Sequence, residues 1–354
     1  MARIMVTGNW GFIGTRLTQF LQMCGHQVKG LDAGWFQDQR LHGAQYDYCP
    51  TICKDIRDSE PRDFAGCEAV VHLAALSNDP LSDLDPTLTF EINHRAAVRV
   101  AKAAKAAGVH RFVFFSSCSV YGKTAGIVDE NGAVNPLTAY ATAKLLAERD
   151  LLDLQSEHFQ VVVLRNATVF GFSARQRLDL IIPDMCAAAT LCKQVVLRSA
   201  GLAQRPHVAL DDLCRLTETL ATWDDRRPET VPSLMNVVGF CATAKEVATA
   251  VGEIAGCPVV QKNAGSDARD YLVDGSLAMT FGWAPVIGLR DGITQVLDAF
   301  SSLPLQLSAC TDKICVRLAR IKQLIADGRL VGDLRWRGLS NARRDWDHGA
   351  EANS

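Results

Sequence analysis

Tyr140 and Lys144 stand four residues apart in Tyr140-Ala141-Thr142-Ala143-Lys144, inside a segment whose periodicity predicts a helix over 138–152. That spacing places a phenol and an ammonium on one helix face. A free tyrosine ionises near pH ~10, too high for a base at neutral pH, and a cation held beside it stabilises the phenolate. The pair is a candidate proton-transfer centre. A second constellation lies near the start, where Gly8, Gly11 and Gly14 punctuate Thr7-Gly8-Asn9-Trp10-Gly11-Phe12-Ile13-Gly14 between a predicted strand at 3–6 and a predicted helix at 12–24. Gly8 permits a tight turn, Gly11 lets backbone approach a pyrophosphate, and Gly14 lets helix pack close to strand, with the helix N-terminus facing the phosphate charge. Asp32 closes the next predicted strand, where a carboxylate accepts from both hydroxyls of an adenosine ribose and repels a 2′-phosphate. The expected cofactor is therefore NAD rather than NADP.

The elements needed to hold these residues are legible as an alternation. Consecutive apolar runs at 3–6, 27–31, 69–73, 111–116 and 160–165 predict strands, and 12–24, 88–107 and 138–152 have helical periodicity. Unbroken apolar strands separated by helices imply parallel pairing with both faces covered. The fold class is α/β: a Rossmann-type doubly wound parallel sheet with a smaller, interleaved C-terminal substrate-binding domain. After residue 171 helices are expected at 179–189, 211–222 and 243–255, with strand-like runs at 195–197, 207–210 and 235–239. We therefore assign 1–171 and 207–238 to the dinucleotide-binding domain and 172–206 and 239–300 to the smaller one. Residues 301–354 form a tail, with an amphipathic helix over 311–326 carrying Ile314, Leu318, Ile321 and Ile325 on one side, then a polar, frayed end.

Composition excludes other classes. The 354 residues are 48% hydrophobic and 21% charged, enough for a full core, and 37 Lys and Arg against 39 Asp and Glu create no field for nucleic acid or an anionic membrane. Twelve cysteines without a Cys-x-x-Cys pair read as reduced thiols of a cytoplasmic protein. No apolar run approaches the ~20 residues of a membrane span. His72, His94 and His207 read as structural, and no metal site is expected.

Several motifs fall in one order: TGNWGFIG with Asp32, KDIRD at 54–58, VVHLAAL at 70–76, Asn93 in the following helix, SSCSVYG at 116–122, and the Tyr140/Lys144 pair. From residue 1 to about 300 the chain resembles the extended short-chain dehydrogenase/reductase superfamily, in its nucleotide-sugar epimerase/dehydratase branch. The resemblance implies that Gly8, Trp10, Gly11, Phe12 and Ile13 hold NAD, that Asp55 and Ile56 bracket its adenine, and that Leu73, Ala74, Ala75 and Asn93 lie beside it. Lys144 would also bond the nicotinamide ribose. Catalysis would fall to Ser117, Tyr140 and Lys144, Ser117 bonding the reacting sugar oxygen with Ser116 as its local rival.

Two neighbours narrow the reaction. Sugar 4,6-dehydratases of the branch carry an Asp-Glu pair where this chain has Cys118 and Ser119, so water elimination lacks its acid and base. The branch that epimerises carbons 3 and 5 has its cysteine at the place of Ser119, and Cys118 reads as a packing residue. The resulting expectation is a nucleotide-sugar 4-epimerase working through a transient 4-keto intermediate. The alternatives are an NAD(P)H-dependent 4-ketoreductase of deoxysugar or secondary-metabolite synthesis and a non-catalytic dinucleotide sensor. Arg205 and Arg269 match arginines that meet a nucleotide diphosphate in the family, and Asn166, Thr168 and Arg177 are assigned to the substrate. Arg175 reads as a solvated loop residue, whereas Arg177 is open between the two readings. Thr168, Asp184 and Ala209 depart from the family's residues, leaving open an unusual nucleotide sugar or a substrate without a nucleotide. The resemblance also implies a homodimer paired through 88–107 and 138–152.

Overall fold

The computed structural model describes residues 1–44, 49–82, 84–124, 126–223, 231–262, 271–304 and 315–338. Seven strands form one sheet in the order Leu234–Val237, Gln160–Asn166, Arg111–Ser117, Ala69–His72, Arg3–Thr7, Gln27–Asp32, Thr51–Cys53. All six pairings are parallel. The run Ala69–His72 is buried at every position, as expected for a strand covered on both faces. One face packs under Leu17, Leu21, Leu213 and Leu216, the other under Val100, Ala101, Ala104 and Leu151. Strand order reverses between Arg3–Thr7 and Ala69–His72, which opens a crevice at their carboxyl ends where ligands of such sheets bind.

Three local features differ from the sequence reading. The expected helix at 88–107 runs as Pro86–Phe90, a wider π-type turn over Glu91–Ala96, and Ala97–Ala106. The strand expected to return to the large sheet at 207–210 is Gln204–Ala209, and it joins a separate three-stranded sheet between Thr168–Phe170 and Phe240–Thr243. Among the described residues of this stretch, the helix Leu210–Ala221 and the strand Leu234–Val237 return to the large layer. Finally, the tail helix is Arg317–Ala326, with Ile314 outside the described residues. Its inward side carries Arg317, Arg320, Ile321 and Leu324, while Ile325 is 39% exposed. The apolar stripe is thus rotated from the expected one, because two arginines occupy inward positions. Among the described residues no helix is long and apolar enough to cross a membrane.

His72 sits in this core with Nδ1 2.8 Å from Thr7 Oγ1 and its ring nearly parallel to those of Phe112 and Phe114. Burial and the nearby Lys144 push its pKa from 6.5 down to about 3. Between those values the unfolded chain binds a proton that the native state refuses, so the stability present above 6.5 is lost as pH falls towards 3. His72→Phe should remove up to about 1.4 kcal/mol per pH unit from the slope of stability across that window. Denaturant titrations of both proteins at several pH values read this out, and equal slopes would contradict it.

Candidate active site

A cavity of about 1200 Å³ opens at the carboxyl ends of the central strands and extends to the small three-stranded sheet. Pockets for one small ligand span roughly 300–1,000 Å³, so this one has room for more than one.

The glycine loop forms one wall. Gly8 has φ of +74°, and a Cβ there would lie 2.8 Å from the Ala74 nitrogen. At Gly14 a Cβ would come within 2.2 Å of the Gly8 carbonyl oxygen, so helix and loop meet only without a side chain. Gly11 caps the helix Phe12–Met23 and brings no side chain to its first-turn amides, leaving an anion site at the cavity edge. Asp32 lies in the same wall, its two oxygens accepting from Trp10 N–H at 3.0 Å and Gly34 N–H at 2.8 Å. Burial pushes its carboxyl up, while those bonds and the charges of Arg175 and Arg317 oppose the shift. A fixed carboxylate, open amides and a cradle that a Cβ would fill together suit the ribose and pyrophosphate of a dinucleotide.

Phe12, Ile13, Ile56, Leu73, Ala74 and Ala75 line the cavity as expected. So does Asp55, which caps the turn Ile56–Asp58 and pairs with Arg57 at 2.7 Å. Two expected cofactor residues are not among those lining the cavity. Trp10 contributes its backbone N–H to Asp32, and its ring packs near Gly34 outside the cavity lining. Asn93 is buried away from it, with Oδ1 accepting from Leu76 N–H at 2.7 Å and Nδ2 donating to the Leu76 carbonyl at 3.0 Å. It clamps the chain leaving the Ala69–His72 strand, and the π-type turn places it there.

Ser117, Tyr140 and Lys144 line another part of the cavity. Thr138 caps the helix Ala139–Leu152, accepting from Ala141 N–H at 3.2 Å and donating to Asp79 at 2.7 Å. The helix therefore begins just before Tyr140, whose phenol lies close enough to the Ser117 hydroxyl for that group to lower its pKa, while Ser117 Oγ accepts from Ser119 N–H at 3.2 Å. Lys144 follows one turn later, its Nζ donating to the Phe115 carbonyl at 2.7 Å and lying 5.9 Å from the Tyr140 ring centroid. Burial pushes Lys144 down to about 7, with Glu148 opposing. Burial also drives Tyr140 up to about 12, with Asp79 adding to the shift and Arg177 and Ser117 opposing it. Positive charge brought into the cavity would lower the pKa of the phenol and favour the phenolate.

The two serines are now distinct: the Ser116 hydroxyl is committed to Glu148, whereas Ser117 meets Tyr140. Glu148 in turn forms a buried ion pair with Arg165 at 2.7 Å. Cys118 is buried and donates its thiol to the Arg165 carbonyl at 3.1 Å, and burial pushes its pKa up. It packs behind the site as a neutral thiol.

Asn166, Thr168, Arg177 and Arg205 also line the cavity, and the Arg205 guanidinium lies 5.1 Å from the Tyr271 ring centroid. Arg177 is buried, bonded to both oxygens of Asp179 at 2.8 and 2.9 Å and to Ser77 at 3.3 Å. Arg175, expected in solvent, is buried instead: it donates to the carbonyls of Phe36 at 3.2 Å and Gln37 at 2.8 Å. Loop polarity misled there, because backbone carbonyls rather than water satisfy the guanidinium. Asp184 pairs with Arg198 at 2.7 Å and lies outside the large cavity. Arg269, with 267–270, falls outside the described residues. The sequence reading missed Arg317 altogether: it lines the cavity from the C-terminal helix, where no motif marks it.

The NAD dependent epimerase/dehydratase family model matches residues 4–234. A UDP-glucose 4-epimerase of Mycolicibacterium smegmatis is 28% identical over 320 residues, covering 84% of this chain and 98% of that protein. Among solved structures, MoeE5 in complex with UDP-glucose and NAD superposes with a TM-score of 0.73 at 27% identity, covering 84% of this chain and 98% of that one. UDP-glucose 4-epimerase of Thermus thermophilus in complex with NAD gives 0.70 at 25% identity, covering 85% and 99%. With residues 4–234, well over half of its length, under the family's model, this chain belongs to the NAD-dependent epimerase/dehydratase family.

Proposed function

We propose that the protein is a nucleotide-sugar 4-epimerase. The observation that carries this reading is the adjacency, in one cavity, of the glycine-loop wall and the Ser117–Tyr140–Lys144 group. NAD, when bound, supplies a hydride acceptor that can return the hydride within the same turnover. Tyr140 takes the proton of the sugar 4-hydroxyl and later gives it back to the 4-keto oxygen, while Ser117 holds that oxygen by hydrogen bonding. Lys144 stabilises the phenolate and, at the ribose, fixes the cofactor's orientation. Arg177, Arg205 and Arg269, with Asn166 and Thr168, hold the nucleotide diphosphate and sugar. Elimination of water is disfavoured, since Cys118 is buried and neutral and Ser119 is a hydroxyl where an acid or base is needed. The full-length match to UDP-glucose 4-epimerases supports the same choice. A homodimer residing in the cytoplasm belongs to this reading.

Incubation with UDP-glucose, UDP-glucuronic acid or UDP-N-acetylglucosamine, followed by NMR of the sugar, should show interconversion at carbon 4 without added reductant. A stoichiometric demand for NADH or NADPH would favour the ketoreductase. Tyr140→Phe should lower kcat about 10²–10⁴-fold with NAD binding retained, and near-normal turnover would remove Tyr140 from the base position. Asp32→Ala should weaken NAD about 10–100-fold by loss of charge-assisted bonds and narrow its advantage over NADP. Equilibrium titration with both dinucleotides measures this, and an unchanged preference would place the ribose elsewhere.

A further inference from the structure

Arg317 is 1% exposed, yet its described partners are neutral. Nη1 donates to Gln39 Oε1 at 3.0 Å, Nη2 to the Arg175 carbonyl at 3.0 Å, and the guanidinium lies 4.4 Å from the Phe36 ring centroid. Among the described residues no carboxylate stands within ion-pair distance of it. Burial and the like charges of Arg177 and Arg175 push it down to about 9, with Asp179 at longer range opposing. Asp32 and Asp179 act on this cation only from beyond ion-pair distance, and an anion brought into contact with it would offset more of the cost of its burial. Arg317 lines the same cavity as Gly8, Gly11 and Asp32, where the pyrophosphate of a dinucleotide supplies that anion.

The segment carrying Arg317 is fastened to this end of the cavity. Arg320 donates to the Trp35 carbonyl at 3.4 Å and pairs with Asp38 at 2.5 Å. Further along, Arg335 grips both oxygens of Asp58 at 2.5 and 3.1 Å, and Trp336 Nε1 donates to the Ala33 carbonyl at 2.6 Å. Ile321, Leu324, Leu330 and Leu334 share a core cluster with Leu31, Trp35 and Ile56. Every one of these anchors lies beside Asp32 or in the turn after Asp55. The relatives are matched over 98–99% of their own length by 84–85% of this chain, which leaves part of this chain additional to them.

We propose that the C-terminal segment 315–338 is part of the dinucleotide site: it supplies Arg317 to the phosphates of the adenosine-diphosphate half and holds 33–39 and 56–58 as that half's outer wall. The segment slows release of NAD, so the cofactor stays through successive turnovers. The proposal rests on the family's NAD dependence and not on which sugar reaction follows, and binding measured without sugar separates the two.

The test compares Arg317→Met and Arg317→Lys with the wild type, using NAD, ADP-ribose and nicotinamide mononucleotide as probes. Arg317→Met should weaken NAD and ADP-ribose about 10–100-fold, leave nicotinamide mononucleotide unchanged, and shrink the rise in Tm that NAD produces. Arg317→Lys should recover part of each. A merely structural role would lower the Tm of the free protein and leave the NAD-induced rise intact, which would overturn the proposal. Should Arg317→Met not fold, Arg335→Ala combined with Trp336→Ala loosens the far end of the segment instead. NAD should then dissociate at least about tenfold faster, and an unchanged dissociation rate would equally overturn it.

Discussion

A buried ion pair between Glu148 and Arg165 fixes the geometry on which the chemistry depends. Glu148 lies on the helix Ala139–Leu152 as the third of three residues spaced four apart, Tyr140, Lys144 and Glu148, and Arg165 lies on the strand Gln160–Asn166. The pair therefore ties one end of the catalytic face to the sheet, and Thr138 with Asp79 ties the other. Glu148 also accepts from Ser116, and Arg165 reaches Tyr121 at 3.0 Å, which bonds Asn236 at 2.7 Å on the edge strand. Breaking such a pair by removing one partner leaves a buried charge, at a cost of roughly 3–5 kcal/mol. Rotation of this helix is opposed at both ends.

Burial also sets the resting state of the site. Tyr140 is held up at about 12 and Lys144 down at about 7, both because low-dielectric surroundings disfavour charge. The protein without ligand thus keeps its phenol protonated. Arginines line the cavity where ligands would enter: Arg317 and Arg177 lie close enough to feel each other's charge, and Arg205 lies beside Tyr271 on the small sheet. A chain of almost zero net charge concentrates cations where phosphates are expected.

The central sheet was legible because buried parallel strands are written as unbroken apolar runs, and Ala69–His72 and Arg111–Ser117 fall where those runs predict. Most of the glycine-loop residues, Asp32, Tyr140 and Lys144 meet in one cavity, as their order along the chain implied. Asn93 bonds the Leu76 backbone, and sequence position does not tell a side chain facing a ligand from one clamping a backbone. Gln204–Ala209 has the pattern of a buried strand, but periodicity does not say which sheet receives it. The tail was opaque for a further reason. Arginines read as solvent-facing, and only the fold reveals the carbonyls that let Arg175 and Arg317 enter the core.

The central claim is that hydride leaves and returns to the same sugar within one cavity. Its most direct measurement follows deuterium placed at carbon 4 of a UDP-hexose that the protein interconverts, in the presence of excess unlabelled NADH. The account predicts that the product epimer keeps its deuterium at carbon 4. Replacement of that deuterium by hydrogen from the added NADH, or its loss to solvent, would contradict it.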